Sequence, residues 1–197
     1  MNDPNESDAV FNFPELLESC KKMLSEGAKS ANHAFHFPVL GTLNEEEAEL
    51  RTVVLRKVIP NPLVLVFYTD ERSPKIAQIK KNNKVSWLFY DAKSKIQIRI
   101  KAKAVLHHND EISQGHWDKL RIESRKVYSS INAPSTVIHS GEETENPIEN
   151  EALIYQNFIV VYTEVSEIDW LKLDPNGNKR ARFLNEKSGF MGEWLVP

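Results

Sequence analysis

Arg51 and Arg56 bracket a short β-branched run, RTVVLR. Tyr68 and Thr69 close a second apolar run, LVLVFYT. Ser73 and Lys75 open a short helical pattern. Gln97 and Arg99 lie on the polar side of IQIRIKAKAVL. If these elements are neighbours in one sheet, their polar groups converge. Arginine offers a rigid fork of donors that matches phosphate, and lysine adds a compact charge. The Thr69 and Ser73 hydroxyls add donors, and a helix beginning at Ser73 offers free backbone N–H groups to an anion. The sharp expectation is a phosphate-bearing ligand. The bland alternative is a solvated strand face, because lysine and arginine also guard edge strands. Arg51 and Arg56 have opposite parity in a strand, so both reach one ligand only across a bulge or a strand end.

Other chemistries find less support. The six histidines, His33, His36, His107, His108, His116 and His139, show no recognised metal-ligand spacing. His107 and His108 point to opposite sides of a strand end. No G-x-S-x-G elbow, Walker A run or G-x-G-x-x-G is present. Cys20 is the single cysteine, which excludes an intrachain disulfide and a cysteine-cluster metal site. Its spacing with Leu16, Leu17, Met23 and Leu24 reads as one packed helix face.

The elements that must position the basic residues are mostly strands. TVVLRKV and LVLVFYT flank IPNP as a hairpin or as adjacent strands, and VSWLFY is a third. In IQIRIKAKAVL, Ile96, Ile98, Ile100, Ala102, Ala104 and Leu106 face one way and Gln97, Arg99, Lys101 and Lys103 the other. That alternation predicts an antiparallel strand with one dry face. FIVVYTEV, DWLKLD and KRARFL supply further strands, with the turn DPNGN between the last two. A helix is predicted over 14–27, with Pro14 early and Gly27 at its exit. Ser73 caps a short one through Lys81. A longer one starts at Asn109 or Asp110 and runs towards Ser130, carrying Trp117, Leu120 and Val127. Residues 1–12 read as loose, and residues 134–150 as a polar loop, a lid or a link.

The sum is six to seven antiparallel strands with few helices between them, so a β-barrel with flanking helices is expected rather than a βαβ fold. The 197 residues suffice for a single domain over 1–197 with its own core. A net charge of −3 argues against a nucleic-acid binder, and the aromatics do not interleave with the basic run. No apolar stretch reaches membrane-spanning length, and the N-terminus lacks a secretory pattern, which makes a cytoplasmic protein the expectation.

RTVVLR, FYTDERSPK, the glutamine of KIQIRIKAKA, a late tryptophan, the RARF run and a terminal proline occur in this order. Together they resemble the pyridoxamine 5'-phosphate oxidase-like family of FMN-binding split β-barrels, over about Leu50 to Pro197. The resemblance implies a homodimer with FMN at the subunit interface. It assigns Arg51, Thr52, Val53, Val54 and Arg56 to the R-x-V-L-L-K motif, with arginine replacing its final lysine. Tyr68 and Thr69 match the pair beside the flavin. Ser73, Pro74 and Lys75 match S-R-K, with proline in place of arginine, and Arg72 next to it is a possible substitute. Gln97 matches the glutamine that reaches the flavin ring, Trp170 the late tryptophan and Arg182 the late arginine.

The substrate side departs further from the family. Asn178, Arg180 and Arg182 stand where the oxidase has R-L-H-D-R. Trp117, Arg121 and Ser124 are loose counterparts of its substrate-phosphate residues, and its glutamine-serine pair is not visible in INAPST. Arg56, Arg121 and Arg180 are the expected substrate contacts, and no catalytic residue or metal ligand is assigned. The implied activity is an FMN-dependent oxidoreductase acting on a small amine or alcohol, phosphorylated or not. The alternatives are a flavin reductase of another substrate, a non-enzymatic flavin or haem binder with His139 as the loosely placed axial candidate, and an interaction module with an empty barrel.

Overall fold

The computed structural model describes residues 12–45, 47–139 and 147–197. Helix α1, Phe13–Lys29, starts where the Asn12 side chain accepts the Glu15 N–H at 2.8 Å. Asn12 is therefore a cap and not part of a loose tail, while residues 1–11 of that expected tail lie outside the described residues. The helix buries Leu16, Cys20 and Leu24. It runs two residues past the expected exit at Gly27. That glycine serves packing instead, since a Cβ there would come within 2.7 Å of the Phe35 Cβ.

Nine antiparallel strands in one sheet replace the six to seven expected among the described residues. The undercount has two sources. The segment before Arg51, in which AFHFPVLGTL reads as a strand and a turn, is a full hairpin of β1, Val39–Asn44, and β2, Glu47–Thr52, turned at Glu45 with φ 55°. The C-terminal residues add β9, Gly189–Leu195. RTVVLRKV is also not one strand. It leaves the sheet after Thr52 and re-enters as β3, Lys57–Pro60. In between, the Val53 and Leu55 N–H groups donate to the Pro38 and His36 carbonyls, both at 3.0 Å, and the Arg56 N–H donates to Val66 at 2.8 Å. The chain thus passes from one end of the strand order to the other. That path gives a barrel-like fold whose sheet is not closed by strand pairing.

The order runs β2-β1-β5-β6-β7-β4-β3, with β4 at Leu63–Asp70, β5 at Lys84–Asp91 and β6 at Ile96–His107. FIVVYTEV and DWLK form one long strand, β7, Phe158–Lys172. Its first half pairs with β4 and its second with β8, Lys179–Glu186, which carries β9. In β6 the expected alternation holds: Ile98, Ile100, Ala102 and Ala104 are buried, and Arg99, Lys101 and Lys103 are exposed.

β4 is apolar on both faces because it divides two cores. Leu65 and Phe67 join α1 and the barrel interior. Val64 and Val66 face Trp117, Tyr128, Phe158 and Val160 under the helices. Those helices correct the expected long one. It breaks into α3, Glu111–Trp117, α4, Ile122–Arg125, and a 3-10 turn, Lys126–Tyr128. Arg121 is extended, with ψ 146°, and restarts the chain direction. The bend lets Trp117 and Tyr128 both pack on Phe158. The expected helix from Ser73 is α2, Pro74–Lys81. An unexpected α5, Glu151–Gln156, is capped by Asn150. In the expected 134–150 loop, residues 134–139 and 147–149 have no regular helix or strand, and 140–146 lie outside the described residues.

Candidate functional site

At the end of β4 and the start of α2, four of the expected phosphate contacts converge. The Lys75 Nζ donates to Ser73 Oγ at 2.5 Å and to Thr69 Oγ1 at 3.1 Å. Burial pushes the Lys75 ammonium down from its usual value. The nearby Arg51 adds to the effect, and Asp70 opposes it. Arg51 lies opposite the buried Leu40 in the β1–β2 register, and its guanidinium is braced from behind. It donates to Thr42 Oγ1 at 2.5 Å, to the Glu49 carbonyl at 3.0 Å and to Gln78 Oε1 at 3.2 Å. Thr42 in turn donates to Gln78 Oε1 at 2.5 Å. Thr42 and Gln78 are both buried. Two cations brought together while partly desolvated repel each other, and a bound anion relieves that cost.

Thr42 and Gln78 were not legible as site residues. Gln78 follows Lys75 by three, so the two share a side of α2. Thr42 is the polar member of the inward set of β1, after Leu40. Without the fold, neither spacing points at Arg51.

Arg72 does not replace the arginine missing at Pro74. It is held by Asp70, with Nη2–Oδ2 at 2.7 Å, and by the carbonyls of Ser130 and Ile131. Pro74 occupies the first turn of α2, where a missing N–H costs nothing. Thr52 is exposed, and Val53 and Val54 are half-buried in the segment that leaves β2.

Arg56 goes elsewhere. The strand break separates it from Arg51, and its guanidinium sits 5.7 Å from the Tyr68 ring centroid. Tyr68 and Thr69 are neighbours in β4 and face opposite sides. Thr69 belongs to the Lys75 cluster, whereas Tyr68 faces a second pocket of about 450 Å³. Its wall includes Arg56, Lys57, Tyr68, His116, Lys119 and Tyr162. Lys57, His116, Lys119 and Tyr162 were not expected there. Arg121 is exposed at the N-cap of α4 and lies outside that wall.

The remaining residues occupy another surface. Gln97 and Arg99 alternate with the buried Ile98 and so lie on the outer face of β6. Arg180 and Arg182 lie on the same face of β8, since Arg182 is in register with Asp169 and Asp169 with Arg99. Arg180 is tied to Asp169 at 2.7 and 3.0 Å, and Arg182 to Glu193 at 2.8 Å. Trp170 points the other way into the core and is 2% exposed. Within one chain, then, Arg51, Thr69, Ser73 and Lys75 come together. Gln97, Arg180 and Arg182 form a separate face, and Arg56, Arg121 and Arg180 do not meet. Among the described residues no cluster of histidine, cysteine and acidic side chains could hold a metal ion. No helix of the described residues is long and apolar enough to cross a membrane.

Comparison with known proteins bears on the family and the fold. Residues 17–108 match the family model described as pyridoxamine 5'-phosphate oxidase, FMN-binding domain. Curated proteins give no match. Among solved structures, a pyridoxamine 5'-phosphate oxidase-related, FMN-binding protein from Nostoc punctiforme superposes with a TM-score of 0.72 at 20% identity, covering 91% of this chain and 96% of its own. PhzG from Burkholderia lata 383, in complex with tetrahydrophenazine-1-carboxylic acid, gives 0.69 at 15% identity, covering 100% and 98%. At these identities the structures show a shared fold. The chain resembles the pyridoxamine 5'-phosphate oxidase-like, FMN-binding family in its matched segment and in its architecture.

Proposed function

We propose that this chain, whose residues 17–108 match the pyridoxamine 5'-phosphate oxidase FMN-binding domain, is an FMN-dependent oxidoreductase that works as a homodimer on a small anionic molecule. The observation that carries the reading is the cluster of Arg51, Thr69, Ser73 and Lys75. It combines two partly desolvated cations with two hydroxyls at the start of a helix. This donor set fits a phosphate monoester, the terminal group of FMN.

FMN would supply the redox chemistry, taking up two electrons from the substrate. The chain supplies the binding and the electrostatics. Arg51 and Lys75 hold the phosphate, with Thr42 and Gln78 fixing the direction of Arg51. Arg56 and Lys57 give the pocket on the other face of β4 a positive wall suited to an anionic substrate. Arg56 binds and orients the anionic substrate.

The homodimer reading is supported by the split between the two surfaces. The Lys75 cluster and the outer face of Gln97, Arg180 and Arg182 are apart in one chain. A second copy laid on that face would bring its residues to the first copy's cluster. Apolar side chains on the exposed side of the same sheet, Leu50, Leu88 and Tyr90, would then be covered.

The test is an absorption spectrum of the purified protein, followed by one of the supernatant after denaturation. Flavin bands that release as FMN, with riboflavin bound far more weakly, are expected. A protein that takes up neither flavin overturns the reading. With FMN loaded, pyridoxamine 5'-phosphate under air is the first substrate to assay. Lack of product would remove that substrate and leave a flavin reductase or oxidase of another anionic molecule.

A further inference from the structure

In the wall of the second pocket one imidazole joins two phenols. Tyr68 Oη lies 2.7 Å from His116 Nδ1, and Tyr162 Oη lies 2.9 Å from His116 Nε2. The three come from β4, α3 and β7, so the arrangement exists only in the folded chain. Both ring nitrogens are engaged by groups that can donate or accept. A neutral ring has one N–H and one lone pair. It must therefore accept from one tyrosine while donating to the other, and the reverse arrangement is equally well bonded.

The surroundings favour that neutral ring. Burial comes first in pushing the His116 imidazole below its usual value, followed by Lys57, Lys119 and His107. Every packed element brings its own charged or titratable group. Lys57 comes from β3 with Arg56 just before it, His107 from the end of β6, Glu111 from α3 with Asp110 at its cap, and Lys119 from the turn after α3. Cations outnumber carboxylates, so an imidazolium has little to gain here. The two ends of the chain of hydrogen bonds also differ. Tyr68 lies beside Arg56 and next to Thr69. Tyr162 lies 4.8 Å, ring to ring, from His107, which pairs with the exposed Asp110 at 2.9 Å. Both phenols line the same pocket, Tyr68 at its Arg56 end and Tyr162 at the end nearer His107 and Asp110.

We propose that Tyr68, His116 and Tyr162 form a proton relay along the pocket wall, from its Arg56 end to its His107–Asp110 end, in which His116 passes protons by exchanging its two neutral tautomers. A proton reaching the Tyr68 oxygen sends that phenol's own proton to Nδ1. The Nε2 proton moves to the Tyr162 oxygen, whose original proton leaves towards the His107–Asp110 end. At each tyrosine one O–H bond forms and one breaks, and at the ring one N–H bond forms and one breaks. No atom is oxidised, and the imidazole never holds a net charge. The same steps in reverse carry a proton back to the Tyr68 end. His116 and the tyrosines are positioned for any bound molecule that must lose or gain a proton as it reacts. That use rests on the oxidoreductase reading, but the relay itself does not.

The first test therefore needs no flavin. Nitrogen-15 NMR of the imidazole rings at neutral pH is expected to show His116 uncharged, with both ring nitrogens at averaged shifts. In Tyr162→Phe the ring should settle into one tautomer, with one pyridine-like and one pyrrole-like nitrogen. A wild-type ring that is cationic, or fixed in one tautomer that Tyr162→Phe leaves unchanged, overturns the relay. The second test loads the protein with FMN, reduces it with dithionite and follows proton uptake with a pH dye. His116→Gln keeps hydrogen-bonding capacity on its side chain but has no tautomers to exchange. Its proton uptake should slow by roughly a hundredfold, the low end for a positioned proton-transfer group. Uptake at the wild-type rate in a folded, FMN-loaded His116→Gln overturns the proposal. A wild type that binds no FMN defeats the oxidoreductase reading, and the NMR result still decides the relay.

Discussion

The ammonium of Lys75 stands 3.1 Å from the Thr69 hydroxyl, so the first turn of α2 is tied to the last residues of β4 by a cation whose hydrogen-bond partners are hydroxyls. A hydroxyl keeps a lone pair and a proton to offer a ligand, and it leaves the charge of lysine uncancelled. Together with Arg51, this makes the end of β4 a place where an anion replaces repulsion with attraction.

Lys75→Met should therefore weaken FMN binding by roughly 10- to 100-fold, the range of one charge-assisted hydrogen bond. Riboflavin, which lacks the phosphate, should bind both proteins with similar affinity. Flavin fluorescence titrations provide the comparison. An equal loss for the two ligands would mean that Lys75 acts through the fold and not on the phosphate.

Gln78→Leu tests the support of Arg51. The substitution leaves Thr42 and Arg51 without their shared acceptor. A buried polar group left without a partner costs about 1–3 kcal/mol, which denaturant unfolding would detect. FMN affinity should fall as well, because the guanidinium is free to turn. Unchanged FMN affinity in Gln78→Leu would show that Arg51 keeps its direction without Gln78.

How much of this was legible before folding depended on the range of the interaction. The alternation of Ile98, Ile100, Ala102 and Ala104 needs only a strand, and it placed β6 correctly. The serine at 73 and the proline after it located the start of α2, although the Ser73 side chain makes no capping bond and accepts from Lys75 instead. Thr69, Ser73 and Lys75 meet because a short turn connects two elements whose types were readable. Thr42, Gln78 and Arg51 meet through pairings 36 and 27 residues apart, which no local pattern carries. Tyr162 and His116 likewise join only because β7 lies beside β4 beneath α3. The break after Thr52 was hidden for a different reason. RTVVLRKV has the composition of one strand throughout, and tertiary bonding of Val53 and Leu55 to Pro38 and His36 overrides it.

Cys20 gives a direct check on the interior of the barrel. It is fully buried on α1, and burial pushes its thiol up to about 12. Thiolate is the reactive form, so the native protein should not react with a thiol reagent at pH 8 over the time in which the unfolded protein reacts fully. Rapid labelling of folded protein would show that α1 does not stay on the barrel.

Asp169 supplies the pH test. Burial alone would raise its carboxyl, but hydrogen bonds from Arg180 and then Arg99 more than offset it, and the group lies below its ordinary value. The carboxylate is thus favoured in the folded chain relative to the unfolded one. Its stabilisation is fully present above the unfolded value of about 3.9 and is lost as the pH falls through the lower, folded value. Asp169→Asn should unfold at a lower denaturant concentration than wild type at pH 7, by the same margin at pH 5. Below the unfolded value the two midpoints should converge. A margin that stays constant down to the lowest pH at which the protein folds would show that Asp169 stabilises β7 and β8 through packing, with no contribution from its charge.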